Sequence, residues 1–183
     1  MKIYIFSVLV LLNFSTNAIS QANNTFNWSP FQESQYNLSF DLPSPNVDIK
    51  DTLGTKMYSF GLDSTLATQV HIVDNMQIGS SDAVVQDVLN QYGADTLRAI
   101  AEVMMLVTNS QLLSVQNVTA ASGDVGLEIG FEYQSLMSNA TTVTFMQFYL
   151  IDNHFISFTV TGRTSAINQI NTTRNTFFSS ISI

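Results

Sequence analysis

The chain has 183 residues, 14 acidic against 6 basic side chains, a net charge of −8 and no cysteine. The bases beyond Lys2 (Lys50, Lys56, Arg98, Arg163 and Arg174) are scattered, so the chain offers no cluster to neutralise the phosphates of nucleic acid or an anionic membrane. Without cysteine there is no disulfide framework, thiol nucleophile, thiolate metal site or lipidated anchor, and an ordinary hydrophobic core must hold the protein.

Residues 1–20 read as a signal peptide. Met1-Lys2 is a short basic start, Ile3 to Leu12 is an apolar run, and Ala18 and Ser20 occupy positions −3 and −1 of a cut before Gln21. The run is shorter than the roughly 20 apolar residues a membrane span requires. The expectation is an exported protein, secreted or periplasmic, with no membrane anchor after cleavage. Residues 21–35 (QANNTFNWSPFQESQ) are polar and aperiodic, a flexible lead that Trp28 and Phe31 tack onto the body. Residues 36–183 are expected to form one domain, a length that buries about 70% of its unfolded surface.

YNLSFDL (Tyr36 to Leu42) alternates strictly and predicts a strand, ended by the prolines and glycine of PSPNVDIKDTLG. KMYSFGLD (Lys56 to Asp63) and TLATQVHIVD (Thr65 to Asp74) predict two more, joined tightly at Asp63-Ser64. From Ser81 the period changes. Val85, Leu89, Tyr92, Leu97, Ile100, Ala101 and Met104 recur at helical spacing, with Ser80 or Ser81 as N-cap and Gly93 as a point of kinking or division. Strands return in SQLLSVQNVTAA, VGLEIGFEY, TTVTFMQFYLI and HFISFTVTG, the last two flanking a turn at Asp152-Asn153. SAINQINTTRNTFF closes the chain at helical spacing.

This order predicts an α+β layered sandwich: a mostly antiparallel sheet of about six to seven strands, covered by a long central helix and a C-terminal helix. The closing segment DNHFISFTVTGRTSAINQINTTRNTFFSSISI resembles the end of PsbP-like domains, the family of the photosystem extrinsic protein, the Ran-binding Mog proteins and bacterial exported relatives. YNLSFDLPSPN resembles that family's opening strand, although no tryptophan follows Pro43 or Pro45. The resemblance implies an αβα sandwich used for binding or assembly, with no shared catalytic motif and no functional residue to carry over.

The chemistry-bearing residues are few. G-x-S-x-G and glycine-rich phosphate loops are absent, so no catalytic residue, cofactor or metal ligand is assigned. HIVD puts His71 and Asp74 on opposite faces of a strand, whereas IDNH brings Asp152 near His154 at a turn. Met104, Met105 and Met146 either fill the core or line an adaptable apolar pocket. In GLEIGFEY, the odd positions Leu127, Ile129, Phe131 and Tyr133 take the buried parity. Gly126, Glu128, Gly130 and Glu132 take the other. Four residues along a strand span about 13 Å, too far for Glu128 and Glu132 to act as a glycosidase pair, which needs about 5 to 9.5 Å. The bare glycines suggest close approach of a backbone, a packed side chain or a ligand, and mark these four residues as a candidate contact surface. The expected function is a non-enzymatic binding or assembly module with a protein partner; a carrier of a small apolar ligand is the alternative, and a carboxylate-dependent hydrolase comes third.

Overall fold

The computed structural model describes residues 26–43, 48–52, 54–62, 66–74, 83–93, 95–135 and 139–183. Their strands are β1 (Trp28–Glu33), β2 (Leu38–Pro43), β3 (Asp48–Thr52), β4 (Thr55–Gly61), β5 (Leu66–Val73), β6 (Gln111–Thr119), β7 (Val125–Gln134), β8 (Thr141–Ile151) and β9 (His154–Arg163). Their helices are α1 (Ala83–Tyr92), α2 (Thr96–Thr108) and α3 (Ile167–Ser179). Strands β3 to β9 form one antiparallel sheet in the order β3-β4-β5-β9-β8-β7-β6, while β1 and β2 make a separate two-stranded ribbon. No described helix is long and apolar enough to cross a membrane.

The sheet is covered on both faces, which explains why alternation fades in its central strands. On one face, Leu38, Phe40 and Leu42 of β2 and Ile170, Phe177 and Phe178 of α3 pack against Tyr58, Val70, Ile72, Phe158 and Val160. On the other, Ile100, Ala101 and Met104 of α2 pack against Leu127, Ile129, Phe131, Met146, Phe148 and Phe155. Met104 and Met146 are therefore core residues.

Four local readings need correction. Residues 28–33, expected in a flexible lead, form β1. Phe31 lies 5.3 Å from the rings of both Phe40 and Tyr58, and Trp28 stacks on Phe177 at 6.1 Å, so aromatic anchoring pins a strand whose polar residues hide its period. YNLSFDL consequently pairs with β1 and not within the main sheet. Within PSPNVDIKDTLG, where strand termination is expected, Asp48–Thr52 form β3, an edge strand paired with β4 through the register Asp48↔Ser59 to Thr52↔Thr55. The single long central helix is two short ones: Gly93 takes φ +54°, and the Asp95 carboxylate caps α2 by accepting from the Arg98 N–H at 3.2 Å.

The turn at Asp152-Asn153 fares as expected. Both residues have positive φ, 49° and 65°, the signature of a two-residue I′ hairpin. The Asp63-Ser64 connection and the Ser80/Ser81 cap lie outside the described residues. At the other end of the chain, Ser182 exchanges two backbone hydrogen bonds of 2.8 Å with Ser39, tying the segment after α3 to the ribbon.

Candidate functional site

The structure places Gly126, Glu128 and Gly130 inside the protein. Strand β8 lies alongside with the register Gly126↔Tyr149, Glu128↔Gln147 and Gly130↔Phe145. A methyl group at Gly126 would sit 2.4 Å from the Tyr149 ring, and one at Gly130 would sit 2.6 Å from both the Phe145 ring and the Ser114 hydroxyl. The glycines are bare because neighbouring aromatic rings lie across them. What approaches them is a packed side chain from the adjacent strand.

Glu128 sits between those rings and is 3% exposed, so it is not on a wetted face. Burying a carboxylate is costly unless it is paired and hydrogen-bonded. Arg174, reaching down from α3, forms an ion pair with Oε1, and its guanidinium lies 4.4 Å from the centre of the Phe145 ring. Gln116 of β6 donates to Oε1 at 3.0 Å and Gln147 of β8 donates to Oε2 at 2.8 Å. Tyr149 donates onward to Gln147 at 3.3 Å; burial, then the nearby Glu128 charge, holds its phenol above the ordinary range. Glu128 thus joins β6, β7, β8 and α3 through one charge. Glu132 is only partly buried and receives a long 3.5 Å bond from the Thr164 hydroxyl.

The histidine readings change as well. His154 pairs with Asp74, at 3.1 Å from Nδ1 to Oδ1, and not with Asp152. Asp74 directly follows β5 and His154 opens β9, so the β5–β9 pairing brings them together, a contact no local spacing reveals. Tyr36 donates to the same Asp74 oxygen at 2.7 Å and stands edge-on to the His154 ring. A second knot lies beside it. Lys56 reaches Glu33 at 3.4 Å and Gln35 at 3.0 Å, and Tyr58 donates to Glu33. Burial, then bonding to Asp74 and Glu33 respectively, raises the Tyr36 and Tyr58 phenols, which stay protonated as donors. Burial alone pushes the Glu33 carboxyl up, but bonds from Tyr58, the Gln35 N–H and Lys56 outweigh it and leave it lowered. These polar side chains bond one another, and the cluster latches the turn after β1 onto the sheet. Among the described residues no three of His, Asp and Glu gather as a metal site.

The two ends of the sheet differ sharply. Strand β3 is five residues long and carries Asp48, Lys50 and Asp51, the charged, short kind of edge that discourages pairing. Strand β6 is nine residues long, carries no charge, and is exposed at every position but Val118. Its outer side has no strand partner among the described residues. Leu112, Leu113 and Val115 are exposed on it, Leu106 and Val107 are exposed at the end of α2 just before it, and Val125 is exposed opposite its last residue. Among the described residues, six of the seven large exposed hydrophobics therefore border one edge. On its inner side, Gln116 is held by Glu128 and Ser114 abuts Gly130, which anchors the strand against the core. A bulge at Leu112/Ser114 leaves Ser114 to Thr119 as the regular stretch. This edge is the candidate site.

This α+β sandwich is similar in fold to solved PsbP and Mog1 structures. Cyanobacterial PsbP from Synechocystis sp. PCC 6803 has a solution structure similar to this chain, with a TM-score of 0.56 at 10% identity, covering 92% of this chain and 98% of that one. A point mutant of Mog1 is similar with a TM-score of 0.50 at 8% identity, covering 86% and 96%. LpqN of Mycobacterium tuberculosis, described as involved in cell envelope biogenesis, gives 0.47 at 9% identity over 87% and 91%. No protein-family model matches the sequence, and no curated protein matches it significantly. At these identities the likeness is one of fold.

Proposed function

We propose that the protein is an exported, non-enzymatic binding and assembly module that adds an extended segment of a partner protein to its sheet as an eighth strand on β6. The observation that carries this reading is the uncharged nine-residue edge bordered by exposed apolar side chains. Edge strands present unpaired N–H and C=O groups that template pairing, and strand addition uses those groups for affinity and alternate side chains for specificity. Large exposed apolar patches mark interaction surfaces. With a chain charge of −8, the partner segment is apolar on alternate positions and free of acidic residues. Export is supported by the signal-like N-terminal pattern.

The test uses a synthetic probe, an alternating valine–threonine peptide with lysines at its ends. Purified protein is expected to bind it saturably by fluorescence anisotropy, with hydrogen-exchange protection appearing on β6. Val115→Lys is expected to abolish binding without unfolding, and so is N-methylation along one edge of the peptide. Binding indifferent to both changes would remove the reading. Concentration-dependent dimers that Val115→Lys dissolves would assign the edge to a second copy instead, and turnover in a hydrolase panel would overturn the non-enzymatic part.

A further inference from the structure

Away from that edge, the middle of the sheet holds four polar side chains with unmatched atoms on the α2-covered face. Alternation puts Gln69 and His71 of β5 on the same side as Val73, and Ser157 and Thr159 of β9 on the same side as Phe155; both Val73 and Phe155 belong to the cluster beneath α2. The register pairs Gln69 with Thr159 and His71 with Ser157, so the four form a square on neighbouring central strands. Such a square measures about 5 Å across the strands and about 7 Å along them. All four are at least nine-tenths buried, and among the described residues Gln69 Oε1, His71 Nε2, Ser157 Oγ and Thr159 Oγ1 have no hydrogen-bond partner; Thr68 Oγ1, on the other face of β5, is a fifth such atom. Native proteins satisfy nearly all such groups, and each exception asks for a reason. Here four exceptions adjoin, and they sit mid-sheet where an apolar set would pack better. Next to them Thr161 and Thr144 bond each other at 2.7 Å, so unsatisfied polarity is not general to this face.

We infer that this square is the floor of a binding site for a small, uncharged, hydroxyl-bearing molecule. One amide oxygen that only accepts, two hydroxyls that do both and one imidazole nitrogen are matched by hydroxyls, each of which donates and accepts. None of the four side chains carries a fixed charge, and burial keeps His71 neutral near pH 7. Strand β8 places Met146 opposite Thr159 and Phe148 opposite Ser157, an apolar wall suited to the CH face of a polyol. This inference is independent of the β6 reading and stands or falls separately.

The experiment titrates the full chain with glycerol, glucose, acetamide and acetate, following the His71 imidazole and the Ser157 and Thr159 amides by NMR. A saturable shift with glycerol or glucose, none with acetate, and at least a tenfold weaker response in Ser157→Ala/Thr159→Val are expected. Gln69→Leu serves as the second variant if that pair fails to fold, with the same tenfold loss expected. No saturable shift with either polyol, a response to acetamide or acetate alone, or shifts that survive the substitutions would each overturn the inference.

Discussion

Replacing Arg174 by methionine isolates the contribution of the buried charge pair. The methionine keeps an apolar stem over Phe145 but removes the guanidinium from Glu128, whose side chain is 4% exposed. Breaking a buried pair from one side costs about 3–5 kcal/mol. Two amide donors, Gln116 and Gln147, remain on the carboxylate, so the lower figure applies, about 3 kcal/mol. For a domain of this size that corresponds to a fall in Tm of about 6–12 °C. Glu128→Gln should cost less, because Arg174 is 23% exposed and can turn to water. The double variant should lose only about 1 kcal/mol, giving a coupling energy of at least about 2 kcal/mol in magnitude. Urea unfolding followed by the fluorescence of Trp28, the chain's one tryptophan and a neighbour of Phe177 on the same helix, measures all three. A loss below about 1 kcal/mol for Arg174→Met, or additivity within about 0.5 kcal/mol, would refute the account of Glu128 as a strut.

Gly126→Ala and Gly130→Ala should each destabilise by about 1–3 kcal/mol, and Gly126 more, because the new methyl meets the Phe148 carbonyl oxygen at 2.8 Å as well as a ring. Thermal denaturation checks the order, and Phe145→Leu should restore part of the Gly130→Ala loss. Asn153→Gly should raise stability by up to about 1 kcal/mol by relieving a left-handed non-glycine residue in the I′ turn, read as an increased urea midpoint. Burial lowers the His71 pKa from 6.5 to about 4. The unfolded chain therefore binds a proton in that window and the folded protein does not, so stability is lost as pH falls from 6.5 towards 4 and the loss ends below that. The loss reaches about 3 kcal/mol at about 1.4 kcal/mol per pKa unit. His71→Leu should remove that part of the pH dependence; equal slopes in both proteins would contradict it.

What was legible in the sequence followed from local period. Strands β4 to β9 and α3 announce themselves by alternation or helical spacing, and the antiparallel layered class follows from their order. Strand β1 did not, because its fixing contacts, Trp28 to Phe177 and Phe31 to Tyr58, span long stretches of chain. In GLEIGFEY the glycines signal a close approach, which a packed side chain makes, but the strand is buried on both sides. Alternation marks one buried face, and helix α3 with Arg174 covers the other. The Asp74–His154 contact depends on β5 meeting β9, which no spacing encodes. The β6 edge was visible as a strand, but its exposure becomes clear only once the sheet order leaves it at the end.

That order also has a kinetic side. The main sheet consists of two locally connected runs, β3-β4-β5 and β6-β7-β8-β9, joined where β5 lies against β9. The nearest partners across that seam, Val73 and Phe155, are 82 residues apart, whereas two residues close the β8–β9 hairpin. Loop-closure entropy makes the seam costlier to close than that turn by about 3 kcal/mol. Folding speed in this chain is accordingly governed by one long-range zipper, and substitutions along Leu66–Val73 and His154–Arg163 that weaken it should slow folding in proportion to how early it forms.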